Sequence, residues 1–172
     1  ELSASPHSTD MVLVLIERGV GCGVVSSGRR LAGARNASGE IGHLTVGIDI
    51  GEVCSCGRRG CLETWVSVPR LRAAFAASAP GEAEVITEIG GHRLAVALTP
   101  LVAALDLSEI VLAGPPELLA PLIPVIERTL AERLFPNPGT ALTVRLALSP
   151  TDIVLRGAAA LERSPIVRAG AP

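Results

Sequence analysis

GEIGHLTVGIDIGEVCSCGRRGCLE runs from Gly39 to Glu63 and holds three of the chain's four cysteines and one of its three histidines. Cys54, Cys56 and Cys61 form C-x-C-x4-C, with His43 upstream. Three thiolates and one imidazole make a Cys3His set, which suits tetrahedral Zn²⁺ with sulfur at about 2.3 Å and nitrogen at about 2.0–2.1 Å. Gly57 and Gly60 lie between the ligands, where a tight metal-wrapping turn needs permissive backbone. Arg58 and Arg59 fall at the tip, where positive charge offsets an anionic thiolate site. Two other readings compete. Ordinary buried thiols are poorly served by glycine-interleaved cysteines, and a redox pair would more commonly be C-x-x-C. With four protein ligands the site is closed, so the zinc is expected to be structural. Cys22 reads as a small residue in a glycine-rich strand, and His7 and His92 have no partners at ligand spacing.

Around this stretch the chain is globular in composition. It has 172 residues, 48% hydrophobic and 19% charged, enough for one domain with a core and too apolar for disorder. Aromatics make up only 2%, so the core must be aliphatic. A net charge of −2 gives no broad nucleic-acid surface. The longest apolar runs, Met11–Ile16 and Leu94–Leu105, fall short of the ~20 residues that span a bilayer. ELSASPHSTD has neither the basic start nor the apolar segment of a signal peptide. A cytoplasmic protein without membrane contact is expected, its clustered cysteines favouring metal over disulfides.

The order of elements reads as α/β. Met11–Ile16 is a buried strand, Ser26–Arg30 a hairpin turn and Leu31–Ala34 the returning strand. A short strand over Leu44–Ile48 and a helix start within Cys61–Val66 follow. Helices are expected from Pro69 to about Ala79, as a turn or two over Glu82–Ile89, and over His92–Leu105. Glu109–Ala113 reads as a strand and Glu117–Leu134 as a helix with Pro124 at a kink. Pro136–Gly139 is a turn, Thr143–Leu148 a strand, and Asp152–Glu162 a last helix capped by Ser149 or Thr151.

Gly39-Glu40-Ile41-Gly42-His43, followed by Cys54-Ser55-Cys56-Gly57-Arg58-Arg59-Gly60-Cys61-Leu62-Glu63, resembles the paired signature of the ROK family (repressor, open reading frame, kinase). MVLVLIERGVGCGVVSSGRRLAGA resembles the family's strand, glycine loop and hairpin, HRLAVALTPLVAALDLSEIVLAGP its helix and nucleotide-side strand, and Gly157–Leu161 its closing helix. The resemblance implies the C-terminal half of an actin-like ATPase fold (sugar kinase/Hsp70/actin, ribonuclease H-like), with a mixed sheet flanked by helices. Residues 1–172 would be one lobe with a zinc knuckle inserted at about 39–63. The N-terminal lobe, and any helix-turn-helix, would lie outside this chain. It also implies sugar ligands at Glu40, His43 and Glu63. Carboxylates accept hydrogen bonds from sugar hydroxyls, and a metal-bound imidazole donates from its other nitrogen. The plainer reading of Glu40 and Glu63 is solvated charge or support for the zinc site.

What departs from the family's kinases is as informative. No Asn-Asp supplying a general base occurs in this chain, so no catalytic residue is expected in it. The Gly-Thr-Gly-like phosphate loop is replaced by Glu17-Arg18-Gly19-Val20-Gly21, which puts a carboxylate where phosphates should approach. After Ala113 and Gly114, where the family usually has Gly-Gly, come Pro115 and Pro116, which remove two backbone donors. ATP is therefore not an expected cofactor. The implied protein is a sugar-sensing repressor that binds a sugar or sugar-phosphate effector, contacts DNA only through a separate N-terminal domain, and forms homo-oligomers. The rival is half of an ATP-dependent hexose kinase. A zinc-knuckle nucleic-acid module is a weaker third reading, because stacking aromatics are lacking.

Overall fold

The computed structural model describes residues 8–35, 37–47, 50–135 and 141–148. Its centre is a five-stranded mixed sheet in the order β3-β2-β1-β4-β5. Met11–Ile16 (β1), Val20–Ser26 (β2) and Arg29–Arg30 (β3) form an antiparallel meander. Glu109–Ala113 (β4) pairs in parallel with β1, and Thr143–Leu146 (β5) with β4. Because β1 lies between two strands and is covered on both faces, its sequence is continuously apolar rather than alternating. Val12, Val14 and Ile16 enter the larger core, while Met11, Leu13 and Leu15 belong to a smaller cluster with Val25, Val111, Ala113 and Ala147.

Helices pack on the larger core: Glu63–Val66 (α1), Val68–Ala77 (α2), Ala83–Leu105 (α3), Pro116–Leu119 (α4) and Ile123–Arg133 (α5). Leu94 and Leu98 of α3 meet Leu122, Ile126 and Leu130 in this core. β1 and β4 were legible to the residue, but other elements differ from the sequence reading. The returning strand is Arg29–Arg30, not Leu31–Ala34; the turn needs only Ser27 and Gly28, both at positive φ, and only the Leu31 N–H continues the pairing, to the Val24 carbonyl. Leu44–Ile48 forms no named strand; Thr45 makes one isolated bridge with Cys61, and residue 48 lies outside the described residues.

The break expected between Ile89 and His92 does not occur: α3 runs unbroken for 23 residues. Gly90 and Gly91 are buried and serve close packing, since a Cβ on Gly91 would stand 2.7 Å from that of Val125. The merged helix is long and apolar enough to cross a membrane by length and composition, yet its buried residues from Gly90 to Val102 pack into the larger core. The single helix expected over Glu117–Leu134 is divided into α4, a 3₁₀ turn at Ala120–Leu122, and α5, with Pro121 and Pro124 each near the start of a segment. The Pro136–Gly139 turn, the Asp152–Glu162 helix with its cap and the Gly157–Leu161 match lie outside the described residues.

Candidate metal and sugar site

The glycines of Gly39-Glu40-Ile41-Gly42-His43 explain how this segment is seated. A Cβ on Gly39 would fall 2.0 Å from the Cys22 carbonyl oxygen, and one on Gly42 2.3 Å from that of Val20. Both glycines thus lie directly on β2, and the Cys22 N–H donates to the Gly39 carbonyl at 2.8 Å. Ile41, between them, is buried in the core. The segment is a single 3₁₀ turn, Ile41–His43, which leaves Glu40 exposed and His43 half-buried.

The cysteine loop is held by little regular hydrogen bonding. Isolated bridges join Thr45 to Cys61 and Val53 to Arg59. The Cys54 N–H donates to the Arg58 carbonyl at 2.8 Å, and the Gly57 N–H to the Cys54 carbonyl at 2.9 Å. Gly60 has φ +73°, and a Cβ there would sit 1.9 Å from the Gly47 carbonyl oxygen; Gly57 has φ +84° with open space around it. Arg93 of α3 donates to the Val46 carbonyl and lies 4.5 Å from the centre of the Trp65 ring, tying this loop to the helices. Nothing in the sequence reading singled out Arg93; its only signal was a cation beginning an apolar helical run.

His43, Cys54, Cys56 and Cys61 come together, with their ligand atoms all within 4.8 Å of one another. A tetrahedral zinc site puts two sulfurs about 3.8 Å apart, and a sulfur and a nitrogen about 3.5 Å apart. Here Cys56 Sγ and Cys61 Sγ are 3.7 Å apart, and Cys54 Sγ is 3.4 Å from His43 Nδ1. The four side chains fit the ion. The thiols are unequal. The Arg58 backbone N–H, and then its guanidinium, lower the Cys56 thiol to about 6. Burial, and then hydrogen bonds with Cys56 and Cys54, push the Cys61 thiol up to about 12.

Glu63, at the start of α1, reaches the same cluster. Its Oε1 is 3.6 Å from Cys54 Sγ and accepts from the Ser55 hydroxyl at 3.3 Å. His43 and Glu63 therefore flank one sulfur, and Glu40 lies one turn before His43. Ser55 was not foreseen as a partner of Glu63; only its position between two ligands could have flagged it.

A model of the ROK family matches residues 2–164. The chain belongs to the ROK family. An N-acetylmannosamine kinase from Escherichia coli O157:H7 is 32% identical over 139 residues, covering 72% of this chain and 47% of the kinase. An N-acetylglucosamine repressor from the same strain is 48% identical over 61 residues, covering 36% of this chain and 15% of the repressor. The crystal structure of a ROK hexokinase from Thermus thermophilus superposes with a TM-score of 0.73 at 29% identity, over 95% of this chain and 63% of the hexokinase. The chain spans less than half the length of the curated relatives it matches. Its fold is that of an actin-like ATPase, with a mixed sheet and helices.

The β1–β2 turn and the loop after β4, read from the family resemblance as nucleotide-side loops, meet at the carboxyl ends of β1 and β4. Leu15 pairs with Ala113, and a Cβ on Gly114 would stand 2.3 Å from the Ile16 carbonyl oxygen. Glu17 and Arg18 are exposed on the turn before Gly19, and the Glu17 carbonyl accepts the Val68 N–H at 2.8 Å. A Cβ on Gly21 would stand 3.6 Å from the Gly39 carbonyl oxygen, an ordinary contact. Pro115 and Pro116 open α4, and Glu117 stands in its first turn. A helix start can bind anions because it offers N–H groups and a positive dipole end; here two donors are missing and a carboxylate is added.

Proposed function

We propose that this chain is the sugar-sensing lobe of a ROK-type transcriptional repressor, with a structural zinc held by His43, Cys54, Cys56 and Cys61. The observation that carries the reading is the contrast between its two sites. The cluster gathers four metal-ligating atoms within 4.8 Å of one another, two of its pairs at tetrahedral distances, with Glu63 beside it, while the nucleotide-side loops carry Glu17, Pro115, Pro116 and Glu117. With Nδ1 of His43 committed to the metal, its proton sits on Nε2, which can donate to a hydroxyl. Glu40 and Glu63 accept hydroxyl hydrogen bonds, each to a charged acceptor stabilising by about 1.5–3 kcal/mol. Sugar bound between this lobe and an N-terminal lobe would favour one DNA-binding state of a helix-turn-helix domain over another. The protein is then a cytoplasmic homo-oligomer.

The second reading, half of an ATP-dependent hexose kinase, is favoured by the identity to the N-acetylmannosamine kinase. Calorimetry of the full-length protein with glucose, N-acetylglucosamine and N-acetylmannosamine, with and without ATP, separates the two. The repressor reading expects hexose binding, no heat from ATP and no phosphorylated product. ATP-dependent phosphorylation of any of the three sugars overturns it.

A further inference from the structure

Gly19 does not need to be glycine for the usual reasons. Its φ is not among the positive ones, and among the described residues no backbone crowds it. Among the described residues, a Cβ built there meets only one side chain, with Glu63 Oε2 at 2.9 Å and Glu63 Cδ at 3.9 Å. The space beside the β1–β2 turn is therefore filled by the carboxylate whose other oxygen takes the Ser55 hydroxyl. The turn is fixed against the same helical corner, since the Val68 N–H donates to the Glu17 carbonyl at 2.8 Å.

We propose that Gly19 is a positioning residue for Glu63, and that the β1–β2 turn thereby sets the affinity of the sugar site. This rests on the assignment of Glu63 as a sugar ligand. Alanine at position 19 fits the backbone, so the strain falls on the flexible end of Glu63, which must rotate away from Gly19. The turn that meets phosphates in a kinase acts here as a stop for a sugar-binding carboxylate, and neither zinc ligands nor core residues are altered.

The test is a double-mutant cycle in the full-length protein, read by calorimetry with N-acetylglucosamine and glucose. G19A is expected to weaken binding about fivefold or more, the size of coupling seen between residues in contact, with zinc content and Tm unchanged. On an E63D background, where the carboxylate is drawn back from position 19, G19A should cost nothing further. A merely structural role would lower Tm and cost the same on both backgrounds. Loss of binding in E63A with full binding in G19A overturns the positioning role and leaves the sugar reading standing. Undiminished binding in E63A, or no sugar binding at all, overturns the sugar reading. The sulfur-to-cobalt absorption band of the Co²⁺-loaded protein then decides the positioning. G19A should shift it in the native background and not in E63A; an unchanged band overturns the proposal.

Discussion

Gly57 and Gly60 look equivalent in C-x-C-G-x-x-G-C, and the structure makes them unequal. Both have positive φ, +84° and +73°, so alanine at either incurs the left-handed cost of about 1–2 kcal/mol. At Gly57 nothing else is added, because no atom of the described residues lies within 4 Å of a built Cβ. At Gly60 the Cβ would fall 1.9 Å from the Gly47 carbonyl oxygen and 2.7 Å from its carbon. No rotamer relieves a backbone overlap, so an overpacking cost of about 1–3 kcal/mol or more adds to the first. Under the proposed zinc assignment, ordering of this loop is coupled to metal uptake, so the cost falls on zinc affinity. G57A should weaken zinc binding about 5- to 30-fold, and G60A by at least about 30-fold, reaching the thousands if the full sum of about 5 kcal/mol applies. Competition against a chelator of known zinc affinity measures both, with far-UV circular dichroism confirming that the sheet is intact. Equal losses in the two variants would refute the reasoning, because the close approach of Gly47 would then play no part in the metal-bound loop.

The unequal thiols give zinc uptake a particular pH dependence. With its folded value raised to about 12, Cys61 would surrender a proton on binding the proposed zinc at any working pH, whereas Cys56, lowered to about 6, would surrender one only below that value. The slope of log affinity against pH should therefore steepen as pH falls through 6, and R58A, which removes the guanidinium and keeps the larger backbone N–H contribution, should move that break partway upward; an unmoved break would dissociate the Arg58 guanidinium from the thiol. In α3, adjacent glycines should respond oppositely. G90A, whose nearest contact is 3.5 Å away, should stabilise by about 0.5–1 kcal/mol through helix propensity, while G91A, 2.7 Å from Val125 Cβ, should destabilise by about 0.5–2 kcal/mol in thermal unfolding. Asp10 accepts the Ser27 N–H at 2.6 Å, then the Thr9 hydroxyl at 2.7 Å, and its carboxyl is held below its ordinary value. Its contribution is full above the ordinary aspartate value of about 3.8 and is lost as pH falls through the lower folded value; D10N should flatten the acid limb of the stability profile.

What was legible in the sequence was what one segment decides alone. MVLVLI and EIVLA are continuous apolar runs, and both are strands at the residues read. The Cys3His set was legible because ligand spacing is local chemistry. The continuity of Glu82–Ile89 with His92–Leu105 was not legible, because the use of Gly90 and Gly91, the approach of α5, belongs to tertiary packing. The seating of Gly39 and Gly42 on β2, the burial of Cys61 against the exposure of Cys56, and the meeting of Gly19 with Glu63 all join residues distant in the chain. No local pattern encodes those.

The shortness of β3 matters beyond the hairpin it closes. A sheet edge is a row of unsatisfied donors and acceptors that another chain can extend, and a sequence with a mean hydropathy of +0.47 is poorly placed to tolerate that. Among the described residues the edge strand itself is only Arg29 and Arg30, both exposed and both cationic. A second copy approaching edge to edge would have to stack like charges on a template two residues long. The arginines that end the meander thus also oppose sheet extension at this edge.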